Sequence, residues 1–144
     1  MPINSVKQIL QSKGDDVWYV APSGAVLDAV KLMAEKGIGA LLVMDGGEVV
    51  GIISERDVAR KVVVNGGSPA DTRVEEIMTK RVYTASLDET AEECLAVMTE
   101  MRIRHLPVVE GRRVVGVVSI GDLVKAVISH QRFMIEQLTN YIGQ

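Results

Sequence analysis

The chain repeats itself. Residues 17–62 and 82–127 align without a gap at an offset of 65 positions. Thirteen of the 46 aligned pairs are identical: Val17/Val82, Met33/Met98, Glu35/Glu100, Ile38/Ile103, Leu41/Leu106, Val43/Val108, Gly46/Gly111, Val49/Val114, Val50/Val115, Gly51/Gly116, Ser54/Ser119, Asp57/Asp122 and Val62/Val127. Conservative pairs such as Ile52/Val117 and Asp45/Glu110 extend the match. Both copies must therefore fold to the same unit, which constrains the architecture before any single element is assigned. The period is longer than solenoid repeats use, so two subdomains related by a pseudo-twofold axis are expected rather than an array.

Each copy follows one pattern. Residues 17–20 and 82–85 are short β-rich runs. Val26, Val30 and Met33, and likewise Ala91, Leu95 and Met98, recur at helical spacing. Residues 40–44 and 105–109 are apolar strands, Asp45-Gly46-Gly47 and Glu110-Gly111 supply turns, and 49–53 and 114–118 return as second strands. Helices are expected from 55 to about 63 and from about 120 onward. The unit is β-α-β-β-α, a mixed α/β (α+β) fold. Gly66-Gly67-Ser68-Pro69 marks 65–73 as a linker, dividing the chain into 1–64, 65–73 and 74–144. Residues 7–11 and 74–78 are expected to form short helical turns leading into the two copies. The last helix is long: Val124, Val127, Ile128, Met134, Ile135, Leu138, Tyr141 and Ile142 keep helical spacing past a polar break at Gln131.

Composition excludes several function classes. The 144 residues are one domain's worth at about 150 residues per domain, and 47% hydrophobic with 24% charged residues is the balance of a globular chain rather than a disordered one. A net charge of −3 lacks the basic surplus of a nucleic-acid binder. Aromatics at 3% leave no stacking platform for single strands. One cysteine makes neither an internal disulfide nor a cysteine-rich zinc site. No apolar run approaches the roughly 18 residues of a membrane span, and the first residues lack the pattern of a secretory signal. No membrane partner is expected, and the expected location is cytoplasmic. No Ser/His/Asp or Cys/His signature, zinc spacing, Walker loop or Rossmann fingerprint is present, so no enzyme is expected.

The segments Gly51-Ile52-Ile53-Ser54-Glu55-Arg56-Asp57 and Gly116-Val117-Val118-Ser119-Ile120-Gly121-Asp122, at identical places in the two copies, resemble the motif of the cystathionine-β-synthase (CBS) domain. Arg102-Ile103-Arg104-His105-Leu106-Pro107-Val108-Val109 is also similar to a second CBS repeat. The resemblance covers about 6–128 and identifies the chain as a stand-alone tandem CBS pair, or Bateman module. It implies a regulatory, signal-transducing module that holds an adenosine-containing ligand (AMP, ADP, ATP, NAD or S-adenosylmethionine) in clefts shared between the repeats. By this resemblance the motif aspartate takes the ribose hydroxyls, the serine lies near ribose or phosphate, and adenine lies against the first strand of the opposite repeat. The Asp57 site, with Ile52, Ser54 and Arg56, would draw on Thr84, Ala85 and Ser86 and on Arg104 and His105. The Asp122 site, with Val117 and Ser119, would draw on Val20 and Ala21 and on Gly39 and Ala40. Such modules also associate in pairs, so a homodimer and an unidentified regulated protein are the expected partners.

The residues also admit plainer roles. Ser54-x-x-Asp57 and Ser119-x-x-Asp122 are capping boxes by spacing. The same helix N-terminus can receive a phosphate, and the same carboxylate can accept ribose hydroxyls. Arg104 and His105 open an apolar strand where their counterparts are Gly39 and Ala40. They are either solvated edge residues or, with Arg56, a phosphate cluster. On that cluster reading the Asp122 cleft, with Gly121, Gly39 and Ala40 at the aligned positions, is bare of cations, and a phosphorylated ligand prefers Asp57. Cys94 is expected in the core, His130 on the surface, and Met33, Met98 and Met101 in packing. Trp18 and Tyr19 could flank an adenine or staple the N-terminal turn. Lys80-Arg81 and Arg112-Arg113 read as solvated turns. Beside the nucleotide-sensing function stands a ligand-independent dimerisation or interaction protein with vestigial clefts. An enzyme acting on a nucleotide is the third possibility.

Overall fold

The computed structural model describes residues 3–143. They form two compact units. One comprises 17–82, the other 3–16 together with 83–143. The compact units thus differ from the division at 65–73: the leading helix of the chain packs with the second repeat, and the segment after the linker packs with the first.

In the 17–82 unit, β1 (Tyr19–Val20) runs parallel to β2 (Ala40–Asp45), which pairs antiparallel with β3 (Glu48–Ser54). The hairpin closes on Gly46 and Gly47, both with positive φ, which is the backbone a tight two-residue turn requires. Helix α2 (Val26–Lys36) presents Val26, Ala29 and Met33 to the sheet, where they meet Leu41, Val43 and Ile53. Helix α3 (Glu55–Val58) leads into a π-helical turn, Ala59–Val63, in place of one continuous α-helix. Helix α4 (Val74–Ile77) returns to the same core through Val74 and Ile77. It is anchored by Ala25 pairing with Arg73 and by the Val74 amide donating to the Gly24 carbonyl at 2.8 Å.

The other unit repeats this plan with three changes. Its leading helix α1 (Val6–Lys13) is eight residues long, a true helix rather than a turn, with a complete Ser5/Gln8 capping box. Helix α5 (Ala91–Met101) packs over the hairpin of β4 (His105–Glu110) and β5 (Arg113–Ser119). The expected strand at 82–85 is reduced to one parallel bridge, Ala85 to Val108. Proline explains the loss. In the first unit the Leu42 amide donates to the Trp18 carbonyl; the position aligned with Leu42 is Pro107, which has no N–H to give. The last helix, α6 (Ile120–Ile142), is unbroken for 23 residues.

The core of this unit contains Val6, Ile9, Leu10, Cys94, Met98, Leu106, Val118 and Leu123. Cys94 and Met98 are buried as expected, and Met33 is buried in the other unit, whereas Met101 is exposed. His130 departs from expectation too. It is half-buried, and its Nδ1 has no hydrogen-bond partner among the described residues.

Candidate functional site

Each glycine-x-x-serine-x-x-aspartate segment runs off the end of a strand into a helix. Both capping boxes form. The Asp57 amide donates to Ser54 Oγ at 3.1 Å and the Ser54 amide donates to Asp57 Oδ2 at 3.0 Å. The Asp122 amide donates to Ser119 Oγ at 3.2 Å and the Ser119 amide donates to Asp122 Oδ2 at 2.8 Å. The plain capping reading of both motifs is therefore correct, each worth about 1 kcal/mol. It consumes one carboxylate oxygen, Oδ2, in each unit. What differs is the use of the rest of the carboxylate.

Around Asp57 the remaining oxygen is committed. Thr79 Oγ1 donates to Asp57 Oδ1 at 3.3 Å, and Lys61 Nζ lies 3.1 Å from the same atom. Lys61 also donates to the Ile77 carbonyl at 2.9 Å. Two local features place these groups. The π-helical turn, closed by the Val64 amide on the Ala59 carbonyl at 3.0 Å, carries Lys61 four residues after Asp57. Gly51 lets the chain after α4 lie against β3: a Cβ there would stand 2.7 Å from Met78 Sδ and 3.0 Å from the Thr79 carbonyl oxygen. Ile52 and Thr79 then exchange two backbone hydrogen bonds, at 3.0 and 2.8 Å.

Asp122 has a lysine as well, from elsewhere in the chain. The position four residues on is Ala126, buried in the core. Instead Lys13, the last residue of α1, reaches Asp122 Oδ2 at 2.6 Å and donates to the Val117 carbonyl at 2.8 Å. Gly116 makes room for that helix: a Cβ there would meet the two terminal carbons of Leu10 at 2.7 and 2.8 Å. Among the described residues no group donates to Asp122 Oδ1. Burial opposes ionisation of Asp122. The Lys13 ammonium and the Ser119 backbone and hydroxyl outweigh it, and the carboxyl lies below its ordinary value.

His105 stands opposite Ser119 in the hairpin register, and the Ile120 amide donates to the Arg104 carbonyl at 2.9 Å. Burial lowers the His105 pKa; nearby Asp122 works against that, while Lys13 and Arg104 add to it. The shift favours the neutral imidazole at His105, and Arg104 is exposed.

The expected residues fall into two sets, each within its own unit. Ala40 pairs with Ser54, and the Glu55 amide donates to the Gly39 carbonyl at 3.0 Å, so Gly39, Ala40, Ser54 and Asp57 share one sheet end. Ile52 is half-buried on β3, Arg56 exposed on α3, Val20 on β1 and Ala21 just after it. Arg104, His105, Ser119 and Asp122 share the corresponding end of the other unit, with Val117 half-buried on β5. Ala85 is buried on its bridge, Thr84 is exposed, and the Ser86 hydroxyl donates to Asp88 Oδ1 at 2.6 Å. Trp18 is covered on one face by the Lys36 ammonium, 4.1 Å from the ring centre.

Three residues at these carboxylates were not singled out from the sequence: Lys13, Lys61 and Thr79. Lys61 alone carried a local signal, its i,i+4 spacing from Asp57. The expectation that no cation stands at Asp122 is corrected by Lys13, which aligned positions could not reveal because residue 13 lies outside the repeated segments. Among the described residues no helix is long and apolar enough to cross a membrane, and no group of three His, Cys, Asp or Glu side chains could hold a metal ion.

A fold of two repeated mixed α/β units, each with a capped Ser-x-x-Asp helix start after its hairpin, has a family. The chain belongs to the CBS domain family, whose profile matches residues 6–64 and 74–129. It is a tandem CBS pair. It is similar to a protein with CBS domains from Burkholderia ambifaria MC40-6, at 53% identity and a TM-score of 0.85, covering 88% of this chain and 96% of that one. It is 37% identical to the CBS domain-containing protein CBSX3, mitochondrial, of Arabidopsis thaliana, over 96% of this chain and 71% of the relative. It also resembles the CBS domain pair of protein MJ0100 in complex with 5′-methylthioadenosine and S-adenosyl-L-methionine. There the identity is 32% and the TM-score 0.76, over 86% of this chain and 95% of that one.

Proposed function

We propose that this chain is a regulatory module that binds an adenosine-containing ribonucleotide of the AMP, ADP, ATP or NAD class and passes the bound state to a protein partner. The observation that carries the reading is the repeated placement of an ionisable carboxylate on a capped helix start at the end of a strand. Ser54/Asp57 and Ser119/Asp122 put a hydroxyl, a helix N-terminus and a carboxylate within one turn. That set suits a ribose with a phosphate or other polar group beside it. The relative MJ0100, whose complex holds two adenosine compounds, supports the ligand class. The proposed role is a ribose on a motif aspartate, Asp57 or Asp122, with Ser54 or Ser119 beside it. The test is direct: heat-denature the purified protein and examine the supernatant for adenine absorbance and a nucleotide mass. Release of an adenosine compound is the expected result. Protein that carries none, and that binds none on titration, contradicts it.

An exposed apolar stripe on α6 supports a homodimer as the working form. Met134, Ile135, Leu138, Tyr141 and Ile142 are all exposed, the last two at 80%. A stripe of this kind on one helix face marks an interaction surface. A monomer in sedimentation equilibrium would argue against it.

A further inference from the structure

The two motif carboxylates are alike in sequence and unlike in what is left of them. Asp57 has both oxygens engaged: Oδ2 by the cap, Oδ1 by Thr79 and Lys61. Lys61 and Thr79 also tie Asp57 to the chain around α4, through the Ile77 carbonyl and the Ile52–Thr79 pairing. A ribose at Asp57 must break that set. Asp122 crowds the cap and its lysine onto Oδ2 and leaves Oδ1 without a donor among the described residues. Oδ1 can accept a hydroxyl while the cap keeps Oδ2.

Lys13 is the cation on Asp122, 2.6 Å from Oδ2. The Lys13 side chain is 38% exposed and ends a long flexible stem. Its ammonium can turn from Oδ2 to an incoming anion while the ribose takes the carboxylate.

We propose that Asp122 is the ligand-ready site, and that Lys13 is its specificity-determining cation, selecting adenosine ribonucleotides that carry a phosphate over the uncharged nucleoside. This rests on the adenosine reading above and reverses the preference expected from the aligned positions, which gave the phosphate to Asp57. The Lys13 contact made in the free protein is an ion pair and a carbonyl contact, both replaced in kind by a phosphate. A ligand lacking an anion gives Lys13 nothing in exchange.

The test is isothermal titration of the full chain with AMP and with adenosine. Four proteins are compared: wild type, Lys13→Met, Asp122→Asn and Asp57→Asn. The expected wild-type result is one AMP per chain. Lys13→Met should weaken AMP by about tenfold to a hundredfold, the contribution of one charge-assisted hydrogen bond, without weakening adenosine. Asp122→Asn should remove AMP binding and Asp57→Asn should retain it. Lys13 takes no part in a capping box, so Lys13→Met reports even if Asp122→Asn disturbs folding. Equal loss for AMP and adenosine in Lys13→Met, or loss of AMP in Asp57→Asn but not in Asp122→Asn, overturns the inference and leaves the adenosine reading standing. A wild type that binds neither compound overturns both.

Discussion

A methyl group added at Gly51 meets backbone, whereas one added at the equivalent Gly116 meets only side-chain ends. That difference sets the outcome of Gly51→Ala against Gly116→Ala. The new Cβ at residue 51 would lie 3.0 Å from the Thr79 carbonyl oxygen and 2.7 Å from Met78 Sδ. Met78 can turn aside, but the Thr79 carbonyl is held by its bond from the Ile52 amide at 3.0 Å. Relief requires the chain after α4 to move off β3. Overpacking of this kind costs about 1–3 kcal/mol, and each weakened backbone hydrogen bond adds about 0.5–1.5 kcal/mol. Replacing glycine by alanine in a strand returns about 0.5–1 kcal/mol. The net for Gly51→Ala is therefore about 2–4 kcal/mol of destabilisation. At Gly116 the obstacles are the terminal carbons of Leu10 at 2.7 and 2.8 Å. Leu10 is buried in its core, but a side chain can shift where the Thr79 backbone cannot, so the net there is about 0–2 kcal/mol. Urea unfolding followed by circular dichroism measures the difference. With a slope of about 1–3 kcal/mol per molar urea, the Gly51→Ala midpoint should fall below that of Gly116→Ala by roughly 1 M. Equal midpoints, or a lower one for Gly116→Ala, would refute the assignment of the Gly51 constraint to the Thr79 backbone.

Arg102 ends α5 with φ 55° where the first repeat has Gly37 at φ 65°. Arg102→Gly should raise unfolding stability by up to about 1 kcal/mol, since only the arginine strains in the left-handed region; a loss of stability would contradict this. The Asp122 pKa lies below its unfolded value, so the Lys13–Asp122 pair contributes fully above about pH 4 and is lost as pH falls through the lowered folded value. Both side chains retain solvent contact, 38% and 20%, so its worth is about 0.5–1 kcal/mol. The gap in urea midpoint between wild type and Lys13→Met should be flat near neutrality and close toward pH 3; a gap that widens in acid would be the wrong sign. Burial, with Glu89 and then Glu93 adding to it, pushes the Cys94 thiol up to about 12. Thiol reagents at pH 8 should modify it only after denaturant is added, and rapid labelling of the native protein would be inconsistent with its place in the core.

What the sequence displayed most clearly was local. The hairpins follow from apolar runs meeting glycine turns. The capping boxes follow from Ser54 and Asp57, or Ser119 and Asp122, standing three residues apart. All formed as their spacing required, because every partner lies within one turn or one hairpin. The departures are long-range or hang on a single atom. Lys13 meets Asp122 across 109 residues, and no periodicity encodes that. Pro107 interrupts strand pairing by one missing N–H, although its neighbours are as apolar as those of Leu42. The exchange of leading helices between the two units has the same origin. Leu10 over Gly116 and Met78 over Gly51 are contacts made when a helix finds a glycine-lined strand, and a repeat alignment does not say which strand that is. The helix expected over 55–63 kept its place but changed its winding, and that change carries Lys61 to Asp57.

The central claim is that the motif carboxylates read a ribose, and one comparison addresses it without any mutation. AMP and 2′-deoxy-AMP differ by the single hydroxyl such a carboxylate would accept. Calorimetric titration of the wild-type chain with both should show the deoxy form binding about tenfold to a hundredfold more weakly, the contribution of one hydrogen bond to a charged acceptor. Equal affinities would mean that the capped aspartates hold their helices and nothing more.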